Sequence, residues 1–134
     1  MPIPADFQPH FRKSPVTDAW EPLYSRRREG GVDLAFEVQP AHCNGRGLLH
    51  GGVLAALCDN IMGTSLAVVL DREVSIITIH LALDYLGSAR VGDLVVITPR
   101  VVHAGTSLGT CDALANNGAR AIVRANASFT VRAV

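Results

Sequence analysis

Between residues 47 and 70 the chain carries a single charged side chain, Asp59, near the middle of an otherwise apolar run. A stretch this long and apolar is either a membrane span or a helix buried in a protein core. A carboxylate at the centre of a span costs about 2.5 to 3.5 kcal/mol on insertion scales, and His50, Asn60 and the glycines Gly47, Gly51, Gly52 and Gly63 weaken a span further. Val53, Leu54, Leu57, Ile61, Thr64 and Val68 follow helical spacing, which predicts one helix of about 17 to 20 residues. Such a helix, apolar nearly all round, cannot leave its outer side in water. A largely antiparallel sheet is therefore expected to wrap it on several faces of a soluble domain, with no membrane involved.

The flanking segments supply that sheet. Residues 1–18, spaced by Pro2, Pro4, Pro9 and Pro15, read as an irregular arm with a short helical turn around 5–12. Segments 19–28 and 32–38 read as strands joined at Glu29-Gly30-Gly31, where glycine tolerates the positive φ of a tight turn. Val32, Leu34, Phe36 and Val38 alternate with Asp33, Ala35 and Glu37, the pattern of a half-buried strand. After the helix, 75–86 reads as one long strand, with Ser75, Ile77, Ile79, Leu81, Leu83 and Tyr85 on one face and Ile76, Thr78, His80, Ala82 and Asp84 on the other. Strands at 94–102, 108–114 and 119–131 follow, the last two joined by the hairpin signal Asn116-Asn117-Gly118. Two strands, one long helix, then four strands define an α+β class without parallel crossovers.

With 134 residues and 49% apolar content, the chain fits a single domain spanning 1–134. Twelve basic residues balance twelve acidic ones, so no net field favours nucleic acid. Cys43, Cys58 and Cys111 form no CxxC pair, and His42, Cys43, His50 and Cys58 match no usual ligand spacing, so neither a disulfide framework nor a metal site is expected. Reduced cysteines and the lack of a signal-like N-terminus point to the cytoplasm.

Asp59 is flanked at helical spacing by Ala55, Ala56 and Gly63, a stripe of small residues where a ligand or another backbone can approach. A buried carboxylate needs a partner, such as Arg46 or Arg90, or a function. Just before the helix stands Asn44-Gly45-Arg46-Gly47-Leu48-Leu49-His50-Gly51-Gly52. Its paired glycines leave amides uncovered at the positive end of the helix dipole, where a carbonyl oxygen can be polarised. The same residues also suit a sharp turn capped by His50.

The string Asn44…Gly47…His50-Gly51-Gly52 followed by Asp59 resembles the signature of hotdog-fold acyl-CoA thioesterases of the phenylacetic-acid-degradation (PaaI-like) family. The resemblance continues through residues 78–86 and Gly92-Asp93-Leu94 to the last strand. It implies a helix wrapped by a sheet and active sites lying between subunits of a homodimer or a dimer of dimers. Asp59 would be the catalytic carboxylate, as general base or nucleophile, with Asn44 positioning water or thioester. His50 and the Gly51 and Gly52 backbone would hold the thioester oxygen, and Thr78 matches a small hydroxyl near the carboxylate. Gly63 and Gly51 would then line the substrate site. The implied substrate is an aryl- or medium-chain acyl-CoA, cleaved without metal or redox cofactor. Where the family often places a basic residue after a glycine, this chain reads Gly105-Thr106-Ser107, leaving Arg90, His103 or Arg120 to meet the coenzyme A phosphates. A hotdog (3R)-hydroxyacyl-CoA dehydratase and a non-catalytic acyl-CoA-binding module are the alternative readings.

Overall fold

The computed structural model describes residues 2–134. The elements run β1 (Gln8–Pro9), α1 (Pro15–Asp18), β2 (Tyr24–Arg28), β3 (Gly31–Glu37), α2 (Gly51–Leu70), β4 (Val74–Tyr85), β5 (Leu94–Ala104), β6 (Leu108–Asn117) and β7 (Arg120–Ala133). All seven strands join one antiparallel sheet in the order β1-β2-β3-β5-β6-β7-β4. The α2 segment carries the chain from the inner strand β3 to the far edge, where β4 pairs with β7 alone. The sheet curls so that β3 to β7 all touch the helix.

His50 caps the start of α2, and the helix ends where Asp71 turns left-handed, φ 52° and ψ 41°, a conformation aspartate tolerates better than most residues. Leu54, Leu57, Cys58, Ile61, Met62 and Leu66 form its buried side. They meet large residues from β3 and β5, including Leu34, Phe36 and Ile97, and small ones from β6 and β7, including Ala113, Ala115, Ala125 and Ala127. Small side chains under a bulky helix let sheet and helix interdigitate without voids. By length and composition α2 is apolar enough to cross a membrane, yet here it is the core helix of the sheet. The sheet covers one side of it. Ala55, Ala56, Asp59, Asn60 and Gly63 are only half-buried, so the stripe of small residues stays accessible.

Several sequence expectations shift. The short helical turn lies at Pro15–Asp18 rather than around 5–12, and the arm also contributes β1, which pairs with β2. The strand expected from residue 19 begins at Tyr24. Strand β3 is buried on both faces, because Phe7 from the arm and Leu94 pack on Ala35 from the side opposite the core. Asp33 is 1% exposed there, its two oxygens accepting from Arg26 (2.7 Å) and Arg28 (2.6 Å), which offsets the desolvation of the charge. Strand β4 does not keep one face throughout. A bulge between Thr78 and His80 swaps the sides, so Ile76 and Thr78 face the helix side before it and Leu81, Leu83 and Tyr85 after it. Ile77 and Ile79 consequently point outward, 58% and 57% exposed. In the last hairpin the turn residues are Gly118 and Ala119, and Asn117 still pairs with Arg120.

Candidate active site

Asp59 stands on the open stripe of α2, two turns in from the start of the helix, and faces the first half of β4. The Thr78 hydroxyl donates to its Oδ1 at 2.8 Å. The β4 bulge makes this possible, because it places Thr78 on the helix side while the residues beyond it restart the alternation from Leu81. Neither Arg46 nor Arg90 pairs with Asp59; a neutral hydroxyl takes the place of the cation that burial alone would have required. Because Asp59 is only half-buried, one hydrogen bond and access to water suffice.

A cavity of about 190 Å³ opens beside this pair. Gly63, Val74, Ile76 and Phe129 form its apolar wall, and Asn60, Thr64 and Arg12 its polar one. Arg12 does not follow from any motif, since only the path of the arm brings it to the helix stripe. Next to Asp59, burial pushes the Cys58 thiol up to about 12, so it offers no thiolate nucleophile at neutral pH.

The start of α2 forms a second cluster. His50 Nδ1 accepts from the Gly52 amide at 2.8 Å, which in a neutral ring leaves the proton on Nε2 as an outward donor. The Gly52 amide is therefore spent on the cap instead of facing a substrate, contrary to expectation. Among the described residues the amides of Gly51 and Val53 meet no acceptor. The Tyr85 hydroxyl donates to the Gly51 carbonyl at 2.5 Å, and burial raises its pKa. No motif marks Tyr85 as a site residue, because its contact depends on the phase change in β4. Asn44 Oδ1 accepts from the Arg46 and Leu48 amides at 2.9 and 3.2 Å, bracing the preceding loop.

Neither His50 nor Asn44 lines the Asp59 cavity. His50 lies nine residues before Asp59 along a continuous helix, about 13 to 14 Å at the helical rise. Arg90 and Gly105 also lie apart. The Arg90 amide donates to Asp93 in a turn, and the Gly105 amide donates to the Leu108 carbonyl in the tight β5 to β6 connection, where a Cβ would come within 2.8 Å of that oxygen. His42 is braced between the Gln39 amide and the Trp20 carbonyl, both at 2.9 Å. Among the described residues no three His, Cys, Asp or Glu side chains converge as a metal site would need.

One long helix cradled by a curled antiparallel sheet, with a hydroxyl-supported carboxylate on its open stripe, defines a class: the hotdog-fold thioester hydrolases. The chain belongs to the thioesterase superfamily, whose family model matches residues 46–122. A protein of Pseudomonas aeruginosa assigned by name to the esterases is 33% identical over 96% of this chain and 97% of its own length. Human acyl-coenzyme A thioesterase 13 is 33% identical over 59% of this chain and 56% of its own. A Streptococcus pneumoniae thioesterase protein solved with coenzyme A is 27% identical and superimposes with a TM-score of 0.74, covering 84% of this chain and 90% of that one.

Proposed function

We propose that this chain hydrolyses an aryl- or medium-chain acyl-CoA to the free acid and coenzyme A. The observation that carries the reading is the Asp59 carboxylate, held by Thr78 at 2.8 Å at the mouth of a cavity with room for an acyl group. As a general base Asp59 takes a proton from water while the oxygen attacks the thioester carbon. As a nucleophile it forms an acyl anhydride that water then opens. In both routes the carbonyl oxygen gains charge and the thiolate leaves with a proton, so donors are needed around that oxygen. The His50 Nε2 proton and the Gly51 and Val53 amides are suited to this at the positive end of the helix dipole. Coenzyme A bound to the pneumococcal relative supports the substrate class, and no metal or redox cofactor enters the scheme.

The separation of His50 from Asp59 supports a site shared between two copies, the start of one helix meeting the Asp59 stripe of the other. Strand β4 offers the means, since its free edge runs the full 12 residues with Ile77 and Ile79 exposed, and an unprotected edge of that length favours pairing. This reading makes the protein a homodimer or a dimer of dimers. The test is thiol release from a panel of aryl- and straight-chain acyl-CoAs. Turnover insensitive to chelator, and lowered about 10²-fold or more in a folded Asp59→Asn variant, is expected. No release across the panel, or full activity in Asp59→Asn, overturns the reading.

A further inference from the structure

Arg12 projects from the N-terminal arm into the same cavity as Asp59 and Thr78. The arm that carries this exposed side chain is held in place. The arm is pinned by the β1 to β2 pairing, by the His10 amide donating to the Leu23 carbonyl at 2.9 Å, and by the Phe11 ring lying 4.4 Å from the Arg27 guanidinium. Its neighbours are occupied: Lys13 pairs with Glu21, Arg26 with Asp6 and Asp33, and Arg28 with Asp33. Among the described residues Arg12 alone of these arm and β2 cations has neither a carboxylate within ion-pair distance nor an aromatic face.

We propose that Arg12 selects acyl groups that end in a carboxylate, so that the preferred substrates are half-thioesters of dicarboxylic acids. This rests on the thioesterase reading of the Asp59 site. With Asp59 alone the cavity would repel an anionic acyl group. Arg12 cancels that charge and supplies a planar donor pair matched to a carboxylate. Sharing a cavity with the carboxylate that faces the reacting carbon, the guanidinium is placed for the acyl end rather than for the coenzyme A phosphates. The pantetheine arm, about as long as four extended residues, holds the nearest phosphate on the order of 13 to 15 Å from the sulfur. The cavity lining suits the same ligand, with Val74 and Ile76 available to methylenes and Asn60 and Thr64 to polar groups.

The experiment compares matched pairs, glutaryl- with pentanoyl-CoA and adipyl- with hexanoyl-CoA, by kcat/KM in the parent and in Arg12→Gln and Arg12→Lys. The parent is expected to favour the carboxylated member, and the preference to fall about 10- to 100-fold in Arg12→Gln, as for the loss of a charged hydrogen bond, with part retained in Arg12→Lys. Calorimetric binding of adipyl- and hexanoyl-CoA to Asp59→Asn protein reads the same contact without turnover. If neither measurement favours the carboxylated member, or if Arg12→Gln lowers both members equally, the assignment is wrong even where thioester hydrolysis stands. If no thioester is cleaved but adipyl-CoA binds better through Arg12, the assignment of Arg12 as a carboxylate contact holds and the hydrolase reading fails.

Discussion

Replacing Thr78 with valine removes one hydroxyl and little else. Valine is close in shape and favours strands, and position 78 is exposed, so the fold should tolerate it. The hydroxyl donates at 2.8 Å to the Asp59 carboxylate. A hydrogen bond to a charged group contributes about 1.5 to 3 kcal/mol net. If that contact holds the carboxylate in its reactive orientation, its loss appears in kcat at about tenfold per 1.36 kcal/mol, or roughly 10- to 150-fold. Thr78 acts through Asp59 as a positioning residue, so KM should change far less than kcat. The assay is thiol release under saturating acyl-CoA, with the melting midpoint recorded to show that the variant is folded. Thr78→Ser keeps the hydroxyl and should recover most of the rate. A folded Thr78→Val protein within twofold of the parent, or a Thr78→Ser protein as slow as Thr78→Val, would refute the argument.

Three further outcomes are expected. Mixing inactive Asp59→Asn protein with inactive Gly52→Pro protein should return about a quarter of parental activity once subunits exchange, since half of random dimers carry one intact site; no recovery despite demonstrated exchange means each chain completes its own site. Gly109→Ala should lower stability by about 1 to 3 kcal/mol, or Tm by about 4 to 10 °C for a domain of this size: the new methyl would sit 2.8 Å from Cδ1 and 3.0 Å from Cγ of the fully buried Leu66, and an unchanged melting curve would show that Leu66 repacks freely. Burial raises the Cys58 and Cys111 thiols from the ordinary 9.0 to about 12, so their contribution to stability is complete below pH 9 and lost as the pH climbs from there towards 12. Denaturant titrations should therefore show falling stability across that window, with both thiols resisting alkylation at pH 8 until the chain unfolds, and rapid labelling in the folded state would contradict their burial.

Much of the fold follows from local patterns. Helix α2 was legible because its period, its near absence of charge and the glycines at its start agree, and no tertiary contact competes with them. The strands after it follow from period two and from Asn117-Gly118, a step that suits a tight turn by local sterics alone. Asp59 stood out because a lone carboxylate in an apolar helix demands an explanation, and its small neighbours were readable from helical spacing.

What the sequence could not set is what depends on two distant segments meeting. Alternation in 75–86 reads as one continuous face, but pairing with β7 inserts a bulge at Thr78 to His80, and one extra residue reverses every side chain beyond it. That reversal brings both Thr78 to Asp59 and Tyr85 to Gly51, which no single alternating face could do. Asp33 reads as solvent-facing because its ion pairs with Arg26 and Arg28 depend on the β2 register; Ala35 reads so because Phe7 of the arm covers it, and the arm's proline-spaced residues carry no periodic signal. Arg12 reaches the Asp59 cavity by that same path. The sequence by itself determined the elements and the carboxylate, since those rest on backbone preference and on hydrophobic period within one segment. Only the tertiary structure decided the carboxylate's partners, because a hydrogen bond or a cavity wall depends on register and chain path.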